Sequence, residues 1–430
     1  MVSVSQVQDQ LCEFLDASPT AWHATRNMTD MLARSGYQAL DERSAWTLTP
    51  GGRYYVTRND SAVIAFQVPT GELDGFRMMG AHTDSPCLRL KSDPVQRSRD
   101  WLQFGVEVYG GALLAPWFDR DLGLAGRVHV RRSNGKVEGI LINTNKPIAI
   151  IPSLAIHMDR EANQNRSFNA QTQMAPVVWQ GAFTDDNPLL SLIKTQAGTD
   201  IDAILGHELC LYDTQPAGRI GGEDGLIASA RLDNLLSCFC TTSAMAALEG
   251  DQAVLMVAND HEEVGSASAS GAQGSFLRDV LSRLNESSVG RGGSEGFVRM
   301  IQSSCMVSCD NAHALHPNYP DKHDRNHGPA INGGPVIKIN ASQRYATNSA
   351  TEALFRDACE RADVPVQSFV TRADMGCGST IGPITATELG IPTLDVGLSQ
   401  WAMHSVRETT GARDPAHLIA ALGAFCTPNE

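Results

Sequence analysis

The chain has 430 residues, of which 42% are hydrophobic, and a formal net charge of −14. This length predicts two or three domains, and the acidic charge argues against nonspecific binding to nucleic acid. No run approaches the roughly 18 to 20 apolar residues of a membrane helix, and Met1–Asp16 lacks the basic start and apolar block of a signal peptide, so we expect a cytoplasmic protein that binds no membrane.

Residues 1–92 have the pattern of the first part of a layered α/β domain. The apolar run Phe76–Ala81 is short enough for a buried strand, and His82 follows it directly. A polar, chemically unusual residue at the end of such a strand is a candidate for a functional site.

The middle of the chain, residues 93–227, predicts an inserted, mostly β domain. Three runs have the composition of strands: Val106–Tyr109, Gly126–Arg131 and Lys136–Ile142. Ser133–Gly135 reads Ser-Asn-Gly and stands between the last two runs, where it predicts a hairpin turn.

Residues 228–430 return to the α/β pattern and complete the first domain. The runs Ala253–Ala258 and Met306–Cys309 predict strands, and Leu235–Leu248 predicts a helix. Asn285–Gly296, with four glycines and three serines, predicts a mobile surface loop. Alternation of strands and helices indicates a mixed, largely parallel sheet sandwiched by helices, in which ligands bind at the carboxyl ends of the strands.

His82 is the first candidate metal ligand. Residues two apart on an extended strand face the same way, so His82 and Asp84 can reach one site. A metal-binding imidazole usually needs a carboxylate or carbonyl to fix its tautomer, and Asp84 is the candidate for that role. Taken alone, the motif also fits a structural histidine beside a turn.

Asp233 and the pair Glu262-Glu263 are the next candidates. Asp233 stands at the start of a helical pattern, where an ordinary N-cap aspartate is the alternative. Two adjacent glutamates after an apolar strand are costly to bury without partners, and their side chains diverge. One can bind a metal while the other accepts a proton from the attacking water; a solvated acidic turn is the alternative.

Asp310 and His404 complete a set of two imidazoles and three carboxylates. Such a set divides into two metal sites that share a bridging aspartate. Nitrogen and oxygen ligands without a thiolate suit zinc above all, with cobalt or manganese as alternatives. We therefore expect two divalent ions about 3.5 to 4 Å apart, which polarise a scissile carbonyl and lower the pKa of a bridging water.

The order His, Asp, Glu-Glu, Asp, His resembles the aspartyl aminopeptidase family of co-catalytic zinc peptidases. The likeness covers nearly the whole chain. The motifs that carry it are Gly80–Pro86, Ile151–His157, Ala230–Asn234, Asn259–Ser266, Asp310–Tyr319, Gly334–Asn348, Cys377–Pro383 and Ala402–Glu408. The resemblance implies a metallo-aminopeptidase that prefers N-terminal Asp or Glu. It also implies a tetrahedral dodecamer built from dimers, with the inserted domain acting in dimerisation or as a lid.

The resemblance further implies a role for each site residue and a cis peptide bond between Asp233 and Asn234. The implied metal ligands are His82, Asp233 as the bridge, Glu263, Asp310 and His404. The implied catalytic groups are Glu262 as the general base, Asp84, and His157 acting in the site of a neighbouring subunit. The implied substrate-binding residues are His157, His313, Lys338 and Tyr345. Arg344 is a rival to Lys338 for binding the acidic side chain, because a guanidinium can bind a carboxylate at two points.

Two other functions stay open at this stage. A carboxypeptidase or deacylase on the same metal pair would recognise a free carboxylate, whereas the acidic residues around the site favour the free amine of a peptide substrate. A non-enzymatic scaffold that keeps metals for stability would have no need of a general base such as Glu262.

Overall fold

The computed structural model of the chain describes residues 3–181 and 185–428. The chain divides into two compact units. The first unit comprises Met1–Asp84, Ala217–Met403 and Glu408–Glu430, and the second comprises Ser85–Pro216 and His404–Arg407. The insertion was predicted over residues 93–227. The second unit begins at Ser85, and its main segment ends at Pro216.

The helices are α1 (Val4–Ala17), α2 (Ala21–Arg34), α3 (Ala170–Gln173), α4 (Pro188–Ala197), α5 (Leu232–Ala246), α6 (Phe276–Asn285), α7 (Gly293–Gln302), α8 (Ser349–Arg361), α9 (Ile381–Leu389) and α10 (Asp414–Cys426). The strands are β1 (Gln38–Leu40), β2 (Arg53–Arg58), β3 (Ala62–Gln67), β4 (Arg77–His82), β5 (Cys87–Ser98), β6 (Trp101–Tyr109), β7 (Leu122–Arg132), β8 (Val137–Asn143), β9 (Val177–Gln180), β10 (Ile201–Asp213), β11 (Gly218–Ile220), β12 (Leu226–Ser229), β13 (Val254–Asn259), β14 (Cys305–Cys309), β15 (Ala312–His313), β16 (Val336–Ile339), β17 (Gln367–Val370), β18 (Thr393–Gly397), β19 (Ser399–Trp401) and β20 (Glu408–Gly411).

The first unit is built on a large mixed sheet with the strand order β1-β2-β3-β13-β4-β14-β18-β16-β17. Its centre, from β13 through β4 and β14 to β18, is parallel throughout. A smaller sheet in the same unit has the order β11-β12-β20-β19-β15. The predicted fold class, a largely parallel sheet with covering helices, is confirmed.

Helices cover both faces of the large sheet, and the alternation of side chains along each strand separates two cores. On β13, Val254, Met256 and Ala258 belong to the core that contains residues of α1, α2, α5, α8 and α10. Leu255 and Val257 belong to the core that contains residues of α6, α7 and α9. A strand that is buried on both faces has a continuous apolar run in its sequence, and β13 was predicted from such a run.

The second unit contains an antiparallel sheet with the order β8-β7-β10-β5-β6-β9. Strands β7 and β8 form the hairpin that the Ser-Asn-Gly turn predicted, with Val128 opposite Ile140. Gly135 in that turn has φ +84°, a conformation that glycine adopts without a steric cost. One face of the sheet packs into a core that includes Leu88, Val128 and Leu209.

The predicted loop Asn285–Gly296 is partly wrong. Helix α7 begins inside it, at Gly293, and the turn that precedes α7 places the side chain of Val289 in the core. The glycines lie in a compact connection between α6 and α7.

Among the described residues, no helix combines the length and the apolar character that crossing a membrane requires.

Candidate active site

The carboxyl ends of three neighbouring strands carry the predicted imidazole and acidic groups. His82 is the last residue of β4, Asp310 follows β14, and the short 3-10 helix Glu262–Val264 follows β13. Because β13, β4 and β14 are parallel neighbours, these residues meet at one edge of the sheet. Asp233 reaches the same edge from the first turn of α5, and the predicted cis peptide bond to Asn234 is confirmed.

Three of these side chains lie close enough to share a metal ion. One ligand atom each of His82, Asp233 and Glu263 lies within 4.8 Å of the others. His82 Nε2 is 3.5 Å from Asp233 Oδ1 and 3.9 Å from Asp310 Oδ1. An imidazole nitrogen and several carboxylate oxygens, with no thiolate in the group, form a donor set that Zn²⁺ accepts. These residues therefore fit a divalent metal.

Asp84 holds both His82 and the turn that carries the two glutamates. The Oδ1 atom of Asp84 is 3.3 Å from His82 Nδ1, and the carbonyl oxygen of Asp84 is 3.1 Å from the same nitrogen. The Asp84 carboxylate also accepts hydrogen bonds of 3.1 Å from the backbone N–H groups of Glu262 and Glu263. An acceptor at Nδ1 favours the tautomer whose Nε2 can bind a metal.

Glu262 stands beside the cluster as a carboxylate with an altered acidity. Its Oε2 is 4.0 Å from His82 Nε2. Burial raises the pKa of Glu262 to about 7, with His82 lowering it and the carboxylates of Asp310 and Asp233 raising it further. A pKa near neutrality suits a group that must accept a proton and then release it.

Lys338 is buried behind Asp310. Its Nζ is 3.4 Å from Asp310 Oδ2, donates to the carbonyl oxygen of Asn311 at 3.0 Å, and lies 5.2 Å from the ring centre of Tyr345. Arg344, the rival cation, is exposed, and its Nε donates to the carbonyl oxygen of Cys377 at 3.3 Å. The buried ammonium is therefore the nearer of the two to a predicted metal ligand.

His313 and Tyr345 line one cavity of about 390 Å³ in the first unit. Phe369 and Trp401 supply aromatic walls, and the ring centre of His313 is 5.8 Å from that of Phe369. Arg372 is among the polar lining residues. Two of the three predicted substrate residues of the first unit are thus brought together on one cavity wall, and the third, Lys338, does not line this cavity.

His404 and His157 belong to the second unit. His404 Nδ1 is 3.1 Å from the carbonyl oxygen of Gly111, which fixes a tautomer of the kind that metal-binding histidines use. His157 is exposed in a turn between the exposed side chains of Ile156 and Met158. The role of His404 as a ligand and that of His157 as a catalytic group stay predictions.

Three residues that were not predicted to have a role are buried around the peptide bond that precedes Asp233: Asn311, Gln400 and Glu408. A signal was available for Asn311 and Gln400, because each is a polar residue shortly after an apolar strand pattern. Such residues are buried only with hydrogen-bond partners, and they are worth tracing to those partners.

The chain is similar to known proteins over nearly its whole length. The chain matches the family of aminopeptidase I zinc metalloproteases (M18) over residues 14–426. It is 55% identical over 426 residues to "Probable M18 family aminopeptidase 2" of Pseudomonas fluorescens, covering 98% of both chains. The solved structure of the Ape4 and Nbr1 complex has a chain with 40% identity and a TM-score of 0.94, with coverage of 98% of this chain and 85% of that one. The mApe1 dodecamer of S. cerevisiae has 26% identity and a TM-score of 0.84, with coverage of 97% and 96%. The chain therefore belongs to the M18 family of zinc metallo-aminopeptidases, which are exopeptidases of the hydrolase class.

Proposed function

We propose that this aminopeptidase removes N-terminal Asp and Glu residues from peptides, with Glu262 as the general base and two divalent ions held by the predicted ligands. The observation that carries the catalytic part is the cluster of His82, Asp233 and Glu263 ligand atoms within 4.8 Å, with Glu262 directly beside it. This arrangement separates ligand carboxylates from one carboxylate that can move a proton.

The proposed ligands divide into two sets around Asp233. The residues that would hold the ions are His82, Asp233, Glu263, Asp310 and His404. When bound, zinc ions at these groups would polarise the scissile carbonyl and make a water molecule more acidic. Glu262 takes the proton of the attacking water and passes it to the leaving amine, and Asp84 keeps the ring of His82 in place.

The acidic preference is proposed from the position of Lys338. A substrate carboxylate that leaves water needs a compensating cation or donors. An ammonium has three donors, and contacts with Asn311 and Asp310 use two directions. The third is proposed to bind the side chain of the N-terminal Asp or Glu, with His313 and Tyr345 beside it.

Turnover of aminoacyl p-nitroanilides tests the proposed specificity. The purified metal-loaded protein should hydrolyse the Asp and Glu compounds with a higher kcat/KM than the Leu compound, and the Lys compound most slowly. A higher kcat/KM for Leu or Lys would reject the acidic preference, and it would leave the aminopeptidase activity itself intact.

The Lys338→Met variant should lose specificity for acidic substrates. We expect kcat/KM for Asp and Glu substrates to fall by roughly 2 to 3 kcal/mol in transition-state free energy, the scale of a lost charged hydrogen bond. The kcat/KM for leucine substrates should fall much less. The lost contact with Asp310 should lower kcat/KM for all substrates by a common factor. The measurement is kcat/KM for each nitroanilide, with the metal content of the variant as a check on Asp310.

Arg344→Gln is the matched control for that variant, because Arg344 is exposed and its Nε donates to the backbone carbonyl oxygen of Cys377. It should leave the ratio of Asp to Leu turnover unchanged. Equal losses on acidic and neutral substrates for Lys338→Met, together with a selective loss for Arg344→Gln, would transfer the role to Arg344.

Self-association is proposed from the second unit and from the dodecameric relative. Leu154, Ile156 and Met158 are 57%, 47% and 75% exposed, and they flank His157. Exposed apolar side chains in one short segment suit a protein interface. We propose that this segment packs on a second subunit, within dimers that form a tetrahedral dodecamer, and that His157 donates to the developing oxyanion there.

Mixing two inactive variants tests that role of His157. Hybrids of His157→Ala and Glu262→Gln subunits should regain activity, because one site then has an intact Glu262 and receives His157 from its partner. Subunit exchange is monitored with two affinity tags, and Glu262→Gln exchanged with itself is the control. Proven exchange without any recovery would remove His157 from the catalytic step in trans.

A further inference from the structure

A closed ring of hydrogen bonds surrounds the peptide group that joins Leu232 to Asp233. The N–H of Asp233 donates to Glu408 Oε2 at 3.0 Å, and the carbonyl oxygen of Leu232 accepts from Asn311 Nδ2 at 2.7 Å. Gln400 joins the two side chains: its Nε2 donates to Glu408 Oε1 at 3.5 Å, and its Oε1 accepts from Asn311 Nδ2 at 3.0 Å. Both polar atoms of one peptide group are therefore held by three linked side chains.

The ring is buried and its members come from separate elements. Glu408 is 1% exposed, and Gln400 and Asn311 are 2% exposed. Glu408 begins β20, Gln400 lies in β19, and Asn311 stands between β14 and β15. Hydrogen bonds in a buried network are strengthened by the low local polarity, and breaking one member is costly. The peptide group is thus held by residues on or directly before three neighbouring strands of the smaller sheet, β15, β19 and β20.

Fixing this peptide group fixes the direction in which the side chain of Asp233 leaves the backbone. Asp233 has φ −83° and ψ 108°, outside the helical range, although α5 begins at its neighbour Leu232. An N–H in the first turn of a helix has no acceptor within the helix, and an anion is favoured at that end. Glu408 meets both conditions, and a charged acceptor makes the bond to Asp233 stronger than a neutral one would.

The same ring reaches a second predicted ligand. The carbonyl oxygen of Asn311 accepts from Lys338 Nζ at 3.0 Å, and that ammonium is 3.4 Å from Asp310 Oδ2. Asn311 therefore contacts the peptide group before Asp233 through its side chain. It contacts Lys338, which lies beside Asp310, through its backbone carbonyl oxygen. A displacement of Asn311 would change the positions of both carboxylates.

We propose that Glu408, Gln400 and Asn311 form a positioning ring that sets the direction of the Asp233 carboxylate and, through Lys338, its separation from that of Asp310. On this proposal their role is to place the residues that bind the metal, and they are not ligands themselves. The proposal rests on the proposed function only in taking Asp233 and Asp310 as ligands.

The test measures Co²⁺ binding by the full-length, metal-free protein and the visible absorption of the cobalt-loaded form. Glu408→Ala should lower the affinity for Co²⁺ about 10-fold to 100-fold, the usual effect of removing a group that orients a ligand, and change the cobalt spectrum. Its kcat should fall by a similar factor while KM stays within about twofold. Glu408→Gln keeps an acceptor for the Asp233 N–H, so it should recover part of both losses.

Asp414→Asn is the control, because Asp414 is a fully buried carboxylate of the same unit that accepts from the backbone N–H groups of Asn332 and Gly334. It should lower the melting temperature and leave the cobalt spectrum unchanged. If Glu408→Ala fails to fold, Gln400→Met opens the ring with every charge retained, and it should still alter the spectrum. Wild-type Co²⁺ affinity and spectrum in folded Glu408→Gln and Gln400→Met would overturn the proposal. Because this readout needs no substrate, an error in the acidic preference or in the role of Glu262 would not affect it.

Discussion

The Glu262→Gln variant is expected to keep its metals and to lose at least about 100-fold in kcat, the range for a removed general base. The amide has the shape of the carboxylate, and the backbone N–H of Glu262 would still donate to Asp84. The side-chain amide cannot accept a proton from the attacking water, and therefore it cannot return one to the leaving amine. The measurement is kcat on an Asp substrate together with metal content by elemental analysis.

Two further variants separate loss of the base from loss of the site. Glu263→Gln changes the adjacent glutamate, whose ligand atom belongs to the cluster with His82 and Asp233, so it should lose metal as well as activity. Glu295→Gln, on an exposed position of α7, should change neither. A Glu262→Gln protein with full metal content and near-normal kcat would exclude Glu262 as the base.

The convergence of the site could be predicted because it follows from strand ends. His82 and Asp310 directly follow apolar runs, and Glu262-Glu263 follows a third within a few residues. Parallel strands bring such ends to one edge of a sheet whatever their separation in the chain. The structure has those strands as parallel neighbours in the order β13-β4-β14. The local sequence pattern was sufficient here, because parallel strands bring their carboxyl ends to one edge whichever side chains are in contact.

The surroundings of these residues could not be predicted in the same way. Lys338 lies opposite Asp395 in the pairing of β16 with β18. It reaches Asp310, which directly follows β14, and this contact depends on the order of strands in the sheet. The bond between Asp233 and Glu408 joins residues 175 positions apart. A periodic pattern tells which face a residue occupies, but it does not give the partner that faces it across two elements.

The glycine-rich segment Asn285–Gly296 forms a packed connection for a local reason. Glycine and serine are enriched both in mobile loops and in tight helix connections, so composition alone could not distinguish the two. What decides is the side chain of Val289, which is only 5% exposed and packs with residues of the core beneath α6 and α7. Apolar residues between glycines are therefore the signal that favours a packed connection over a mobile loop.

The second large effect is expected for His82→Ala, which should lose metal binding and, with it, activity and metal-dependent stability. His82 is 1% exposed, and its Nε2 faces the carboxylates of Asp233, Glu262 and Asp310. Burial lowers the pKa of the ring while those carboxylates and Asp84 raise it, and the net result lies well above the usual value. The ring is thus placed where a cation is favoured.

Metal binding and folding are linked, which gives this prediction a readout apart from catalysis. A free metal concentration of 100 times Kd stabilises a protein by about 2.7 kcal/mol per site. Groups that merely orient a ligand contribute about 10-fold to 100-fold in affinity, so loss of the ligand itself should cost more than about 100-fold. At the same metal concentration the stabilisation then falls to about 0.4 kcal/mol or less. Zinc should therefore raise the melting temperature of the wild-type protein and barely change that of His82→Ala.

A histidine away from the site provides the comparison. His417 is half-buried on α10, and His417→Ala should retain the wild-type response of melting temperature to zinc and to its removal by a chelator. Chelation of the wild-type protein should abolish activity, and added zinc should restore it, because the ligands stay in place in the folded chain. If His82→Ala bound zinc with wild-type affinity, or if active protein contained no divalent metal, the cluster around His82 would have a structural role and the hydrolytic site would have to lie elsewhere.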